Sequence, residues 1–244
     1  IANGLGMSSS PVLSKGVLIA QVENDADSYS FGLSLKNGTT LWKKERPKGA
    51  NWTSPVVLKK NSKELVGLQS KEGLVFLKPD NGEVVWDYDD GASTIPSSVI
   101  GKKNIVLVPS NGLTALDEPS EGEPPKQLWR NNKLAPGTGS PAVSGDQVFV
   151  INRANVLTSA SVRTGEINWR LRIKGPVSGS PVVTDEFLFI FNEDGLCQIV
   201  DIRQKGEANI VKEIDLKDTI LCTPAADQGS LFVRSDKKLW KLSN

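Results

Sequence analysis

Histidine is absent from the 244 residues, and cysteine occurs only at Cys197 and Cys222. The first absence excludes Ser-His-Asp and Cys-His catalysis, His-ligated zinc and a His-based pH switch. Two thiols cannot build a zinc site of four thiolates. Both cysteines fall in apolar stretches that read as strands inside sheets, so they are expected as buried thiols; pairing would need their Cα atoms about 4.4 to 6.8 Å apart.

Aromatic residues are few, at 6% of the chain. No apolar run is long enough to span a bilayer, no signal-peptide pattern stands at the front, and no segment keeps a helical period. Neither sign of charge dominates: 29 basic and 28 acidic residues are interspersed and leave a net charge of +1. Such a chain has no global field to draw nucleic acid or an anionic membrane surface. Because it starts at Ile1 rather than Met, the chain is expected to be a processed or excised part of a longer product, with any export signal lost in the missing part.

What is present is a repeat. The stretch 139–169, GSPAVSGDQVFVINRANVLTSASVRTGEINW, reads as four short strands: 140–143, 147–151, 156–162 and a last one holding Trp169. Apolar residues alternate along it and Gly marks its turns. Proline opens each copy, preceded by Ser or Thr within two residues, at Pro11, Pro55, Pro96, Pro141, Pro181 and Pro224, which are 44, 41, 45, 40 and 43 residues apart. A second marker keeps the same period, a Gly turn followed four residues later by Trp: Gly38 with Trp42, Gly82 with Trp86, Gly165 with Trp169. Trp129 closes the third copy after a turn expanded to 118–127, and Ile210 takes the Trp place in the fifth.

One four-stranded sheet cannot bury both faces, whereas copies stacked around an axis can. A period of about 40 to 45 residues with four strands per unit is the mark of a β-propeller. The sequence therefore predicts an all-β, six-bladed β-propeller of four-stranded antiparallel blades, one domain over 1–244. Its blades start near Ser9, Thr53, Thr94, Gly139, Gly179 and Cys222. Copy six ends without a fourth strand. Residues 1–5 are expected to supply it by pairing the two termini, the competing arrangement being a larger propeller whose other blades are missing.

Ser-Ser-Pro-Val-Leu at 9–13, Leu-Thr-Ala-Leu-Asp at 113–117 and Thr-Gly-Glu-Ile-Asn-Trp at 164–169 together resemble the PQQ-like, or quinoprotein-type, β-propeller repeat. The family motif A-x-D-x-x-T-G-x-x-x-W has its best copy here at 161–169, with Ser161 where the family has Asp. The resemblance implies that Trp42, Trp86, Trp129 and Trp169 dock one blade on the next as core residues, the ring burying a large area while its N–H seeks one acceptor. Its dehydrogenase branch uses a vicinal Cys-Cys pair and calcium held by Glu, Asn and Asp, none of which is matched here. The chain is more similar to the non-enzymatic branch that includes the assembly lipoprotein BamB, which implies a protein-binding scaffold, not an enzyme, without cofactor, monomeric and extracytoplasmic. The alternative of another class is a quinone-dependent or sugar-acting propeller with a ligand in its central channel.

In a propeller the loops from strand four to the next strand one, and from strand two to three, share one face. Here that face takes in 24–28, 43–52, Lys71, 87–91, Asn111, 130–133, Arg153, 170–174 and 192–194, a mixed-charge surface. Trp52 is the candidate aromatic anchor for a protein, small molecule or glycan, with Arg46, Arg153, Lys71 and Arg172 as polar anchors, since Trp and Arg carry much of the energy at interfaces. Asp87, Asp89 and Asp90, and the pair Asp25 and Asp27, are weak candidates for calcium; neither set has EF-hand spacing or a bidentate Glu, and the expected metal content is none.

Overall fold

The computed structural model describes residue 4 and residues 6–60, 63–117, 123–204 and 206–243. They form six antiparallel sheets in two compact units, Ile1–Arg130 and Asn131–Asn244. Each sheet is a simple meander in chain order. The strand expected to close the sixth sheet, at residues 1–5, falls almost wholly outside the described residues.

The first unit holds three blades. Blade one is β1 (Val12–Ser14), β2 (Val17–Val22), β3 (Tyr29–Ser34) and β4 (Thr40–Glu45). Blade two is β5 (Val56–Lys60), β6 (Lys63–Ser70), β7 (Gly73–Leu77) and β8 (Val84–Tyr88). Blade three is β9 (Val99–Ile100), β10 (Val106–Val108), β11 (Leu113–Asp117) and β12 (Lys126–Asn131), whose last residue falls at the unit boundary.

The second unit continues with β13 (Ala142–Ser144), β14 (Gln147–Ile151), β15 (Val156–Ser161) and β16 (Ile167–Arg172) as blade four. Blade five is β17 (Val182–Val183), β18 (Phe187–Phe191), β19 (Leu196–Asp201) and β20 (Asn209–Asp215). Blade six has three described strands, β21 (Ala225–Asp227), β22 (Ser230–Arg234) and β23 (Leu239–Ser243).

The period-two pattern sorts residues as the sequence predicts. Along β2, Val17, Ile19 and Gln21 turn inward while Leu18, Ala20 and Val22 are part-exposed. Between blades one and two, Val17, Ile19 and Trp42 pack against Val66, Leu68 and Leu77; between two and three, Leu74, Phe76 and Trp86 pack against Val106, Val108 and Leu116. Burying each such side chain contributes about 1.5–3 kcal/mol. Trp42 lies over Gly32 of its own blade and Gly82 of the next, where any Cβ would overlap the indole, and its Nε1–H donates to the Pro79 carbonyl at 2.8 Å. Trp86 is stacked on Phe76 with ring centroids 4.2 Å apart, and Trp169 is tilted against Phe149 at 5.9 Å. Neither of these buried indoles has an acceptor for its N–H among the described residues. Trp129 departs from the expectation of a core indole, being only part-buried.

The hydroxyls beside each opening proline have a definite job. The Ser10 amide donates to Ser54 Oγ at 2.9 Å and the Ser54 amide to Ser97 Oγ at 2.9 Å. In the second unit the Ser140 amide donates to Ser180 Oγ and the Ser180 amide to Thr223 Oγ1, both at 2.8 Å. Each hydroxyl thus satisfies a backbone N–H of the preceding blade, which proline-interrupted pairing would otherwise leave unmade.

Two expectations are corrected. Cys222 lies ahead of β21 rather than within a strand; it is part-buried and donates to the Arg234 carbonyl, while Cys197 is buried, and both thiols are free. In blade five it is Lys212, not Ile210, that stands at the Trp position. Trp42 and Trp169 follow a bulge and pair with Gly32 and Ser159; the residue after the matching bulge that pairs with Ile199 is Lys212. The preceding turn is longer: Ala160 pairs with Ile167, seven residues on, whereas Val200 pairs with Ile210, ten residues on.

Candidate functional site

In the first unit the loop from β4 to β5 is built on a buried ion pair. Arg46 Nε donates to Glu23 Oε1 at 2.7 Å, with the two side chains 7% and 2% exposed. The remaining oxygen of Glu23 accepts from Asn51 Nδ2 at 2.8 Å, and Asn51 also donates to the Gln69 carbonyl at 2.7 Å. Burial pushes the Glu23 carboxyl above the usual carboxylate range; Arg46 and Asn51 oppose that rise. Leaving either charge alone at this depth is costly, so the pair exists only as a unit with its hydrogen bonds.

Two glutamines extend the network. Gln21 Nε2 donates to Thr53 Oγ1 at 3.0 Å and to the Thr53 carbonyl at 2.8 Å. Gln69, at the same register position of the next blade, donates to the Pro96 carbonyl at 3.0 Å and accepts from the Ser98 amide at 2.7 Å and the Ser98 hydroxyl at 2.6 Å. Each glutamine therefore ties the opening segment of the following blade. The loop is pinned along its length as well, by Arg46 N–H to the Ser28 carbonyl, Gly49 N–H to Asn24 and Trp52 N–H to Thr94.

Arg46 is thus not the surface anchor the sequence suggests; it faces inward and holds the loop. Trp52 is part-buried on that same loop, and exposed Lys71 runs its side chain past Gly49. Of the acidic candidates, Asp87, Asp89 and Asp90 are all exposed. Asp90 is engaged by the Arg130 guanidinium, which also donates to the Tyr88 hydroxyl at 2.6 Å and to Thr114 Oγ1 at 3.0 Å. Among the described residues no three Asp, Glu or Cys side chains converge on one point.

In the second unit the β14–β15 turn presents Arg153 to solvent. Asn152 Oδ1 accepts from the Ala154 and Val156 amides, and Arg172 donates to the Ala154 carbonyl at 3.1 Å, so one candidate braces the turn that carries the other. The next turn along is braced by Asn192, which accepts from the Leu196 amide and donates to the Lys174 carbonyl.

Sequence reasoning missed the polar network because its members come from three separate segments: Glu23 after β2, Arg46 and Asn51 on the β4–β5 loop, and Gln69 in β6. The only signal was polarity on an inward phase: Gln21 follows Val17 and Ile19 at the spacing of a buried face.

Set against solved structures, the chain is similar to BamB from Moraxella catarrhalis, with a TM-score of 0.70 and 16% identity over 92% of this chain and 66% of that one. It is also similar to the computationally designed Ika8 protein, with a TM-score of 0.71 and 12% identity over 96% of this chain and 70% of that one. These likenesses establish a propeller fold, and the described residues form six of its blades. No curated protein matches. The family model for outer membrane protein assembly factor BamB matches residues 4–106 and 109–209, and the chain belongs to that family of PQQ-like propellers.

Proposed function

We propose that the chain is a non-enzymatic, extracytoplasmic scaffold that binds protein partners through its strand-four-to-one and two-to-three loops. The observation that carries this reading is the way those loops are held: a family of assembly factors supplies the context, buried polar groups fix the backbone beneath Trp52 and Lys71, and Asn152 and Arg172 brace the turn that displays Arg153. Preordered loops reduce the entropy lost on association. Arg46 acts beneath the contact surface by positioning the loop that displays Trp52.

The different-class reading, an oxidation catalyst using a quinone, finds no vicinal cysteine pair in the sequence. Burial pushes the Cys197 thiol up to about 12, which keeps it protonated and poorly nucleophilic.

The test is capture from detergent-solubilised envelope extract on immobilised wild-type chain and on a Trp52→Ala, Arg153→Ala double variant. A defined set of polypeptides held by the wild type and depleted by the variant is expected. Equal recovery on both overturns the contact assignment, and dye-linked alcohol or sugar oxidation with added PQQ and calcium overturns the non-enzymatic one.

A further inference from the structure

The seam between blades five and six has an indole socket without an indole. In the seam between blades one and two, Trp42 is enclosed by Val17 and Ile19, lies over Gly32, and meets Val57, Val66 and Leu77 across the seam. Strand register carries those six positions to Phe187, Phe189 and Ile199 of blade five and to Ala226, Leu231 and Leu242 of blade six. All six line one cavity of about 530 Å³. The seventh position, where the ring would be, is Lys212, which is exposed at the cavity.

The walls differ from those of the filled socket in a consistent direction. Val17, Ile19 and Gly32 are replaced by the larger Phe187, Phe189 and Ile199, so the lining is more aromatic while the space stays open. Cys197 completes the apolar floor, buried and held as the neutral thiol. Lys212 makes no ion pair or side-chain hydrogen bond among the described residues. A second cation, the Arg203 guanidinium, stands 5.6 Å from the Phe187 ring centre, but Asp201 already pairs with it. The carboxylate on the lining is Asp227, exposed on the facing blade-six hairpin.

We infer that this cavity is a binding site for a planar aromatic carboxylate of indole size. The ring takes the place that Trp42 occupies in the equivalent seam, in contact with Phe187 and Phe189, where aromatic groups gain from offset or edge-to-face contact. The carboxylate lies at the Lys212 lip, and Asp227 on the opposite hairpin disfavours the reversed orientation. Its volume is in the range of small-ligand pockets. The site opens by the strand-one-to-two hairpins at 184–187 and 227–230, at the other strand ends from the loops assigned to protein contact, so it is independent of that assignment.

Calorimetry and ligand-observed NMR with indole-3-propionate, and with tryptamine as the same ring bearing an ammonium, test the inference on the 244-residue chain. Saturable binding of the propionate is expected, with tryptamine weaker. Lys212→Ala should weaken the propionate about three- to fivefold, the size of an exposed ion pair, and leave tryptamine unchanged. Lys212→Trp should raise the Tm by a few degrees and abolish binding by filling the socket from its own blade; Ala226→Trp should abolish it from the facing wall. Absence of saturable binding to the wild type, tryptamine binding as tightly as the propionate, or undiminished binding to the two occluding variants overturns it.

Discussion

The two units join blades by different means. In the first, side chains do the joining: Gln21 and Gln69 tie down the next blade's opening segment, and the Glu23–Arg46 pair sits buried beside them. In the second, Ile151 and Phe191 take the register positions of those glutamines and both are buried. There the backbones themselves close up. A Cβ on Gly139 would lie 2.5 Å from the Gly179 carbonyl oxygen, and one on Gly179 would lie 2.3 Å from that of Cys222. Neither glycine has a positive φ, so their requirement is for space rather than for a special conformation. One seam is specified by hydrogen-bond partners and the other by the absence of side chains. They should therefore fail to different substitutions.

Gly179→Val should be the most damaging, since backbone cannot yield to a methyl group as a flexible side chain does. We expect it to cost about 4 kcal/mol or more and to remove the cooperative unfolding transition of the second unit, read by calorimetry. Arg46→Met should cost about 3–5 kcal/mol by stranding a buried carboxylate. The sign of its pH dependence follows from the raised Glu23 carboxyl. A carboxyl whose folded pKa lies above its unfolded one favours folding fully below the unfolded value and loses that contribution as pH rises through the folded value. The variant should accordingly recover stability on acidification through the window above the ordinary carboxylate range, and Glu23→Gln with Arg46→Met should recover most of it at neutral pH. Denaturant melts at pH 5 and pH 8 decide this, and a deficit that does not change between them would contradict it.

Gln69→Leu should cost about 2 kcal/mol, because it orphans the Ser98 amide and the Pro96 carbonyl. Gln21→Leu should cost less, about 1 kcal/mol, since its own Oε1 is already without a partner. Equal losses would mean that the two glutamines are not distinguished by satisfaction. Smallest, and common to both units, are the hydroxyl stitches: Ser54→Ala and Ser180→Ala should each cost about 0.5 kcal/mol, and a large difference between them would show that the units share less than their motif implies.

The sequence disclosed what is local and periodic. Strands such as Gln147–Ile151 and the Gly-to-Trp turns follow from spacing, since a strand hides every second residue and a turn needs its glycine, while the docking role of Trp42, Trp86 and Trp169 is what the repeat's resemblance implies. What stayed hidden depends on partners far apart in the chain. Arg46 looks like a surface arginine until Glu23, on another segment, is brought against it. Lys212 was obscured by counting from Gly206, because three additional turn residues precede the bulge and counting does not reveal which residue pairs with Ile199. Trp129 carries the motif residue without its full burial, so composition at a position does not settle the environment there.

The stitches between successive prolines also have a direction: Ser54 and Ser180 each offer a hydroxyl to the blade behind and an amide to the blade ahead. A module with complementary ends can be duplicated or excised in register and still meet a neighbour it recognises. Growth or loss by whole blades therefore demands no new chemistry at the joint, whereas a partial blade leaves a donor with nothing to address.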